Sequence, residues 1–437
     1  MASILLKGGR IIDPASGMDE TGDVAIDSGE IAALGGRLSD SPADEVVDCE
    51  GLIVTPGLID PHVHLREPGQ THKESIETGT LCAVRGGFTS VVCMPNTSPA
   101  IDCPEVLSQV LQSAARSGHC RVFSTAAATV GRGGKELTDF GALKAGGCVA
   151  FTDDGDVIED PALMERALKA AKEVDAPLMQ HCQDPASTLG ASLHFGRVSM
   201  RLGLVGWPRE AEESIVERDV AINASIGAKY HVQHISSGGT VEILRRARTN
   251  GGNACVTGEA SPHHLLLTDR ACEGYDTNAK MNPPLREDSD VQALRQSVAD
   301  GVVTVLGTDH APHTPDEKGQ GFATAPFGII GLETALALYV EALVDSGAID
   351  WPRLVALLTI EPARLCGLYG PGRLAVGGAA DVTVIDPAME WVIDPCNSAS
   401  RSRNTPFGGR RVRGRAVRTI VGGQTRYHAE ASRPARA

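Results

Sequence analysis

Between residues 56 and 365, short apolar runs alternate with stretches of helical pattern, and this alternation constrains the fold more than any other feature of the chain. The runs are Gly57–Pro61, Thr89–Met94, Arg121–Ala126, Cys148–Thr152, Pro177–Gln180, Tyr230–Gln233, Ala254–Thr257 and Val302–Gly307. Parallel strands buried on both faces read as continuous apolar runs rather than as alternating ones. Between them lie helical segments such as Asp160–Val174, which opens Asp160-Pro161, a capping residue followed by proline at the first helical position. Eight strands separated by helices predict an α/β fold, a (β/α)₈ barrel over residues 56–365. No solenoid period or low-complexity tract interrupts the pattern.

The chain ends read differently. Ile4-Leu5-Leu6, Ile11-Ile12, Asp23–Ile26 and Ile31–Leu34 are short strands broken by turns, with no helix between them. Ala380–Asp386 and Val417–Gly423 repeat that pattern near the C-terminus. Two half-sets of strands predict one small β subdomain from residues 1–55 plus 366–427, with 428–437 a polar, disordered tail. Arg410, Arg411, Arg413, Arg415 and Arg418 alternate with apolar residues, the pattern of a half-exposed strand rather than a polyanion site.

Composition narrows the function classes. A formal charge of −15 argues against nucleic acid and anionic membranes as partners. No apolar run is long enough to cross a membrane, and the start has too short an apolar core for a secretory signal. A cytoplasmic location follows as the default. The eleven cysteines include no Cys-x-x-Cys pair, and Cys93, Cys148 and Cys255 lie in strand-like runs, so reduced buried thiols are expected.

Chemistry gathers where the apolar runs end. His62 and His64 close the first run, Asp154 the fourth, His181 the fifth, His234 the sixth and Asp309 the last. His62 and His64 are two apart, so on a strand both imidazoles face one way, an arrangement suited to zinc. His181 or His234 alone reads more simply as a satisfied polar residue. The joint pattern reverses that, because a barrel delivers catalytic groups from the carboxyl ends of several strands. Asp309 suits a dual role of metal ligand and general base, the simpler alternative being a helix cap. Of Asp153 and Asp154, only one need reach a metal, leaving the other to cap the turn. Arg66, two residues beyond His64, carries a planar fork that fits a carboxylate. Gly319–Gly331 precedes a helix as a pocket wall or mobile lid; without a Walker lysine it is no phosphate loop.

Four longer motifs carry a resemblance. Asp60-Pro61-His62-Val63-His64-Leu65-Arg66-Glu67-Pro68-Gly69, Met94-Pro95-Asn96-Thr97, Met281-Asn282-Pro283-Pro284-Leu285-Arg286 and Thr308-Asp309-His310-Ala311-Pro312-His313 resemble class I dihydroorotases of the cyclic amidohydrolase superfamily. The resemblance spans nearly the whole chain. It implies a barrel with one or two zinc ions and the reversible conversion of N-carbamoyl-L-aspartate to dihydroorotate, the third step of pyrimidine biosynthesis. It also implies His62, His64 and Asp309 at a first metal, His181 and His234 at a second, and Asp154 as the bridging carboxylate. The wider superfamily places a carboxylated lysine at that bridge, but Phe151-Thr152-Asp153-Asp154-Gly155 matches the class I form with aspartate. Whether Asp154 binds one ion or bridges two stays open at this stage. Asn96, Asn282 and His313 match positions that hold the substrate's carboxylate and ring, although each alone could be turn chemistry.

The implied partner is a small molecule, with a homodimer or an assembly with aspartate transcarbamoylase as further options. Allantoinases and dihydropyrimidinases share the barrel and its histidines, but they generally carry the bridging lysine, and Arg66 favours a substrate with a carboxylate. Noncatalytic dihydroorotase-like subunits that support the transcarbamoylase typically lose metal ligands, and this chain keeps every one.

Overall fold

The computed structural model describes residues 2–38, 43–249 and 255–429. Eight parallel strands follow one another in chain order: β1 (Leu58–Val63), β2 (Phe88–Cys93), β3 (Arg121–Ala126), β4 (Ala150–Phe151), β5 (Leu178–Gln180), β6 (Tyr230–Val232), β7 (Val256–Ala260) and β8 (Val305–Leu306). All six residues of β1 and of β2 are buried, which is why those runs lack polar alternation. The barrel closes through a parallel bridge from Val63 to His310, with His64 N–H donating to the His310 carbonyl at 2.9 Å. One Asp60 oxygen pins the seam by accepting from the backbone N–H of both His62 and Thr308, each at 3.1 Å.

The strands β4 and β8 fall several residues short of their apolar runs, for one physical reason. Cys148 N–H turns back to the Leu143 carbonyl, and Val302 and Val303 N–H both turn back to Ser297, so these residues finish the preceding helices instead of joining the ladder. The seventh strand is shifted: it continues to Ala260 rather than ending at Thr257, and Ala254 lies outside the described residues. The helix Pro161–Glu173 forms as its sequence dictates. Asp160 accepts from Ala162 N–H at 3.0 Å, and Leu163, Met164, Ala167, Leu168 and Ala171 make one buried stripe.

A second sheet draws on both ends of the chain, in the order 424–428, 411–421, 382–392, 53–56, 4–13, 18–27, 30–34, with 45–48 beside 4–13. Ile53–Pro56 is its seam, parallel to Ile4–Asp13 and antiparallel to Val382–Val392. Leu6, Ile11, Val24, Ile26, Val54, Val384 and Ile420 fill its core. Gly9 is required there, because a Cβ would meet the Val54 side chain at 2.7 Å. The arginine-rich stretch is the half-exposed strand Arg411–Val421, on which Arg413 pairs with Asp345 and Arg418 with Glu45 at 2.6 Å, while Arg415 lies over the Trp391 ring. His428 ends the last strand of the sheet instead of starting a tail, and residues 430–437 lie outside the described residues. All eleven cysteines are free. Cys93 and Cys148 are buried as expected; Cys255 is exposed, because it sits in the turn before β7 rather than in the strand. Among the described residues no helix is long and apolar enough to cross a membrane.

Candidate active site

Each of the six sequence-assigned metal candidates lies just within or beyond the carboxyl end of a barrel strand, and all six are buried. His62 Nε2 is 3.4 Å from Asp154 Oδ1 and 3.5 Å from Asp309 Oδ1. His64 Nε2 is 2.9 Å from Asp309 Oδ1 and 3.5 Å from Asp154 Oδ2. His181 Nδ1 and His234 Nε2 face one another at 2.8 Å, with Asp154 Oδ1 3.8 and 3.7 Å away. Two overlapping groups have the span of a metal site: His62, His64 and Asp309, and His62, Asp154 and His234. The first is the triad that the resemblance implies. The second brings His62 in with Asp154 and His234 and leaves His181 at its margin.

Two of these six positions, and Arg66 beside them, are conformationally unusual. Arg66, His234 and Asp309 have φ of +59°, +29° and +48°, left-handed backbone that side chains other than glycine rarely adopt. Such residues persist where surrounding contacts over-determine them, and they cluster at functional sites. His234 N–H is fixed by Glu259 Oε1 at 3.1 Å, and the chain after Asp309 is turned by His310 N–H donating to Thr308 Oγ1 at 3.0 Å.

The far ring nitrogens are held in turn. Glu259 Oε1 lies 2.5 Å from His62 Nδ1, Asn96 Oδ1 2.8 Å from His64 Nδ1, and Gln183 Oε1 3.0 Å from His181 Nε2. Each partner fixes its ring so that the other nitrogen faces the cluster, as second partners of metal-binding histidines do. His62 Nε2 is buried without any hydrogen-bond partner. Ligand atoms 2.8–3.8 Å apart also fit an ion bound tetrahedrally at about 2.0–2.1 Å, whose ligands stand about 3.3 Å from one another. Electrostatics point the same way. Burial opposes charge on His62, yet Glu259, Asp154 and Asp309 outweigh it and raise its pKa well above the ordinary value. Burial likewise pushes Asp309 up, but His62 and His64 hold it down to about 2. This is a site that attracts positive charge.

Asp153 and Asp154 divide their tasks. Asp153 accepts from Thr129 N–H at 3.0 Å and from its hydroxyl, fixing the turn after β3, while Asp154 faces the histidines. A cavity of about 230 Å³ opens over the cluster, lined by His64, Asp154, His181, His234 and Asp309 and by all four substrate candidates, Arg66, Asn96, Asn282 and His313. Phe327 and Gly328, from the glycine-rich 319–331 segment, form part of its wall. Arg66 is 7% exposed, and among the described residues it pairs with no carboxylate; its donors reach the Pro312 carbonyl at 3.3 Å and His313 Nε2 at 3.5 Å. Burial and then Arg66 push His313 down to about 2, so it is neutral. Asn96 also donates to Asp154 Oδ2 at 3.4 Å, which ties it to the cluster as much as to the cavity.

Sequence reasoning missed Glu259, Gln183 and Asn404. Glu259 lies in β7, two residues past the expected limit of that run, and it takes His62, His231 and His234 together. Gln183 accepts from both His181 and Asn282, and its place two residues after His181 was the available signal. Asn404 Oδ1 accepts from His313 N–H across 91 residues of chain, a contact with no local signature.

Solved structures place this architecture. An L-hydantoinase (dihydropyrimidinase) from Arthrobacter aurescens superposes with a TM-score of 0.88 at 22% identity, over 99% of this chain and 97% of that one. A dihydropyrimidinase from Brevibacillus agri gives 0.84 at 24%, over 98% and 95%. This chain therefore shares the barrel fold of those two structures. Residues 51–240 match the family described as Dihydro-orotase-like. A dihydroorotase from Syntrophotalea carbinolica is 47% identical over 424 residues, 97% of this chain and 99% of that protein. One from Citrifermentans bemidjiense is 46% identical over 427 residues, 98% and 100%. The chain belongs to the dihydroorotase family.

Proposed function

We propose that this protein is a zinc-dependent dihydroorotase, reversibly hydrolysing (S)-dihydroorotate to N-carbamoyl-L-aspartate in the third step of pyrimidine biosynthesis. The observation that carries the reading is one cavity containing both the His/Asp cluster and a buried guanidinium that, among the described residues, pairs with no carboxylate. A hydantoin or dihydrouracil ring offers such an arginine carbonyl oxygens but no anion to pair with; dihydroorotate brings a carboxylate.

His62, His64, Asp154, His181, His234 and Asp309 would hold one or two zinc ions. The nitrogen and carboxylate donor set and the unpartnered His62 Nε2 fit that ion. When bound, zinc lowers the pKa of water toward neutrality and polarises a carbonyl oxygen. Asp309, ionised at neutral pH, takes the proton of the attacking water and passes it to the ring nitrogen as the amide bond breaks. Arg66 grips the substrate's carboxylate, assisted by Asn96, Asn282 and neutral His313, so that the ring amide stands over the cluster. In the synthetic direction the same groups work in reverse.

The test is an ultraviolet assay of dihydroorotate hydrolysis by purified protein of known metal content, with allantoin and dihydrouracil as competitors. Dihydroorotate is turned over and bound zinc is found; metal-loaded protein inert toward dihydroorotate overturns the substrate assignment. Dialysis against a chelator abolishes turnover, and added zinc restores it. Glu259→Gln keeps the fold but weakens metal affinity about 10- to 100-fold, as loss of such a partner does, measured by competition with a chromophoric chelator. An unchanged zinc titration removes Glu259 from the site.

A further inference from the structure

The cavity wall formed by residues 319–331 is held by two lysines that the chemistry above does not use. Lys280 and Lys318 are only 2% and 5% exposed, and among the described residues neither is ion-paired with a carboxylate. Lys280 Nζ donates to the carbonyls of Phe322 at 2.7 Å, Ala323 at 3.1 Å and Ala325 at 2.7 Å, and lies 4.5 Å from the centre of the Phe327 ring. Lys318 Nζ donates to Pro326 at 2.9 Å, Gly328 at 3.0 Å and Lys280 itself at 3.4 Å. Gly328 N–H closes the arrangement on the Lys280 carbonyl at 2.9 Å. Burial pulls both ammonium groups below the ordinary lysine range.

We propose that Lys280 and Lys318 are positioning residues for the substrate cavity, gathering six backbone carbonyls so that Phe327 and Gly328 stand fixed against Met281, Asn282 and His313. The proposal rests on the reading of this cavity as the substrate site. Irregular backbone has no ladder to satisfy its carbonyls, and an ammonium is the side chain that donates to three acceptors at once. Apolar residues in these places would cover the surface, but they would leave the Phe322, Ala323, Ala325 and Pro326 carbonyls unserved; the other two keep a donor, Lys280 in Gly328 N–H and Gly328 in Asn404 Nδ2. Lys280 is also continuous with the cavity, since the next two residues, Met281 and Asn282, line it. Gly328 leaves no slack: at φ +145° a Cβ there would meet the Ala311 carbonyl at 2.6 Å and the His313 ring at 2.8 Å. A wall packed that closely passes any loosening on to His313.

Hydrogen exchange and steady-state kinetics on Lys280→Met and Lys318→Met test this. Each variant exchanges residues 319–331 about tenfold faster or more, a factor within the range for lost charged hydrogen bonds, while the barrel strands keep wild-type protection. Saturating dihydroorotate restores protection, and KM rises about tenfold while kcat stays within about threefold. Lys280→Gln, whose amide still donates two hydrogens, recovers part of both effects. Wild-type exchange over 319–331 in both methionine variants overturns the proposal. So does loosening spread through the barrel, failure of both variants to fold, or a fall in kcat at unchanged KM. The exchange measurement needs no turnover, so a wild-type protein inactive on dihydroorotate would refute the substrate reading and still leave the lysines to be judged.

Discussion

Asp309→Asn lowers kcat for dihydroorotate by about 10³- to 10⁴-fold, or about 4–5.5 kcal/mol of transition-state stabilisation, while the protein still folds. The amide has nearly the shape of the carboxylate, and its Oδ1 can keep the place 2.9 Å from His64 Nε2 that the carboxylate oxygen holds in the wild type. It cannot take a proton from water. No neighbour inherits that task readily. Asp154 is committed among four imidazoles and Asn96, and His313 is a poor base with its pKa near 2. The removed charge also helps raise the His62 pKa, so metal affinity falls moderately alongside the rate. Kinetics at saturating zinc separate the two effects. If added zinc brings the variant to within tenfold of wild type, Asp309 is a ligand only and the proton passes elsewhere.

Legibility of this fold and site follows from how far each signal travels along the chain. The barrel was readable because buried parallel strands are apolar without interruption, and all eight runs contain a strand or overlap one. Strand ends were less readable: Val302 and Val303 look like strand, and only the carbonyl of Ser297 shows that they complete a helix. The assigned histidines and aspartates stood out because polar residues closing apolar runs are uncommon. Glu259 did not, since a carboxylate within a strand looks the same whether it braces a ligand or faces solvent. Lys280 shows the limit most clearly. In sequence it is a lysine before Met281 and Asn282; only in the fold is it a buried cation facing three carbonyls and an aromatic ring. Asn404, from the C-terminal stretch, reaches the barrel mouth to hold His313 and the carbonyls of Ala311 and Gly328, a contact set by packing alone.

Arg66→Met lowers kcat/KM for dihydroorotate by about 10²- to 10³-fold, with most of the loss in KM. Removing one partner of a buried, hydrogen-bonded charge pair costs about 2–5 kcal/mol, and the middle of that range, about 3–4 kcal/mol, gives this factor. The wild-type guanidinium is almost fully buried and, among the described residues, has only the Pro312 carbonyl and His313 as close partners, so the substrate's carboxylate is the strongest acceptor offered to it. Arg66→Lys keeps the charge but loses the planar fork, and recovers about tenfold at most relative to methionine. Dihydrouracil, which lacks the carboxylate, makes the decisive comparison. Any trace of wild-type turnover on it should survive Arg66→Met unchanged, because the arginine has no anion there to hold. Equal losses on both compounds would mean that Arg66 shapes the barrel mouth through its left-handed backbone and the Pro312 contact instead of reading the carboxylate. The preference for dihydroorotate over its uncharged relatives would then have to come from Asn96, Asn282 and His313.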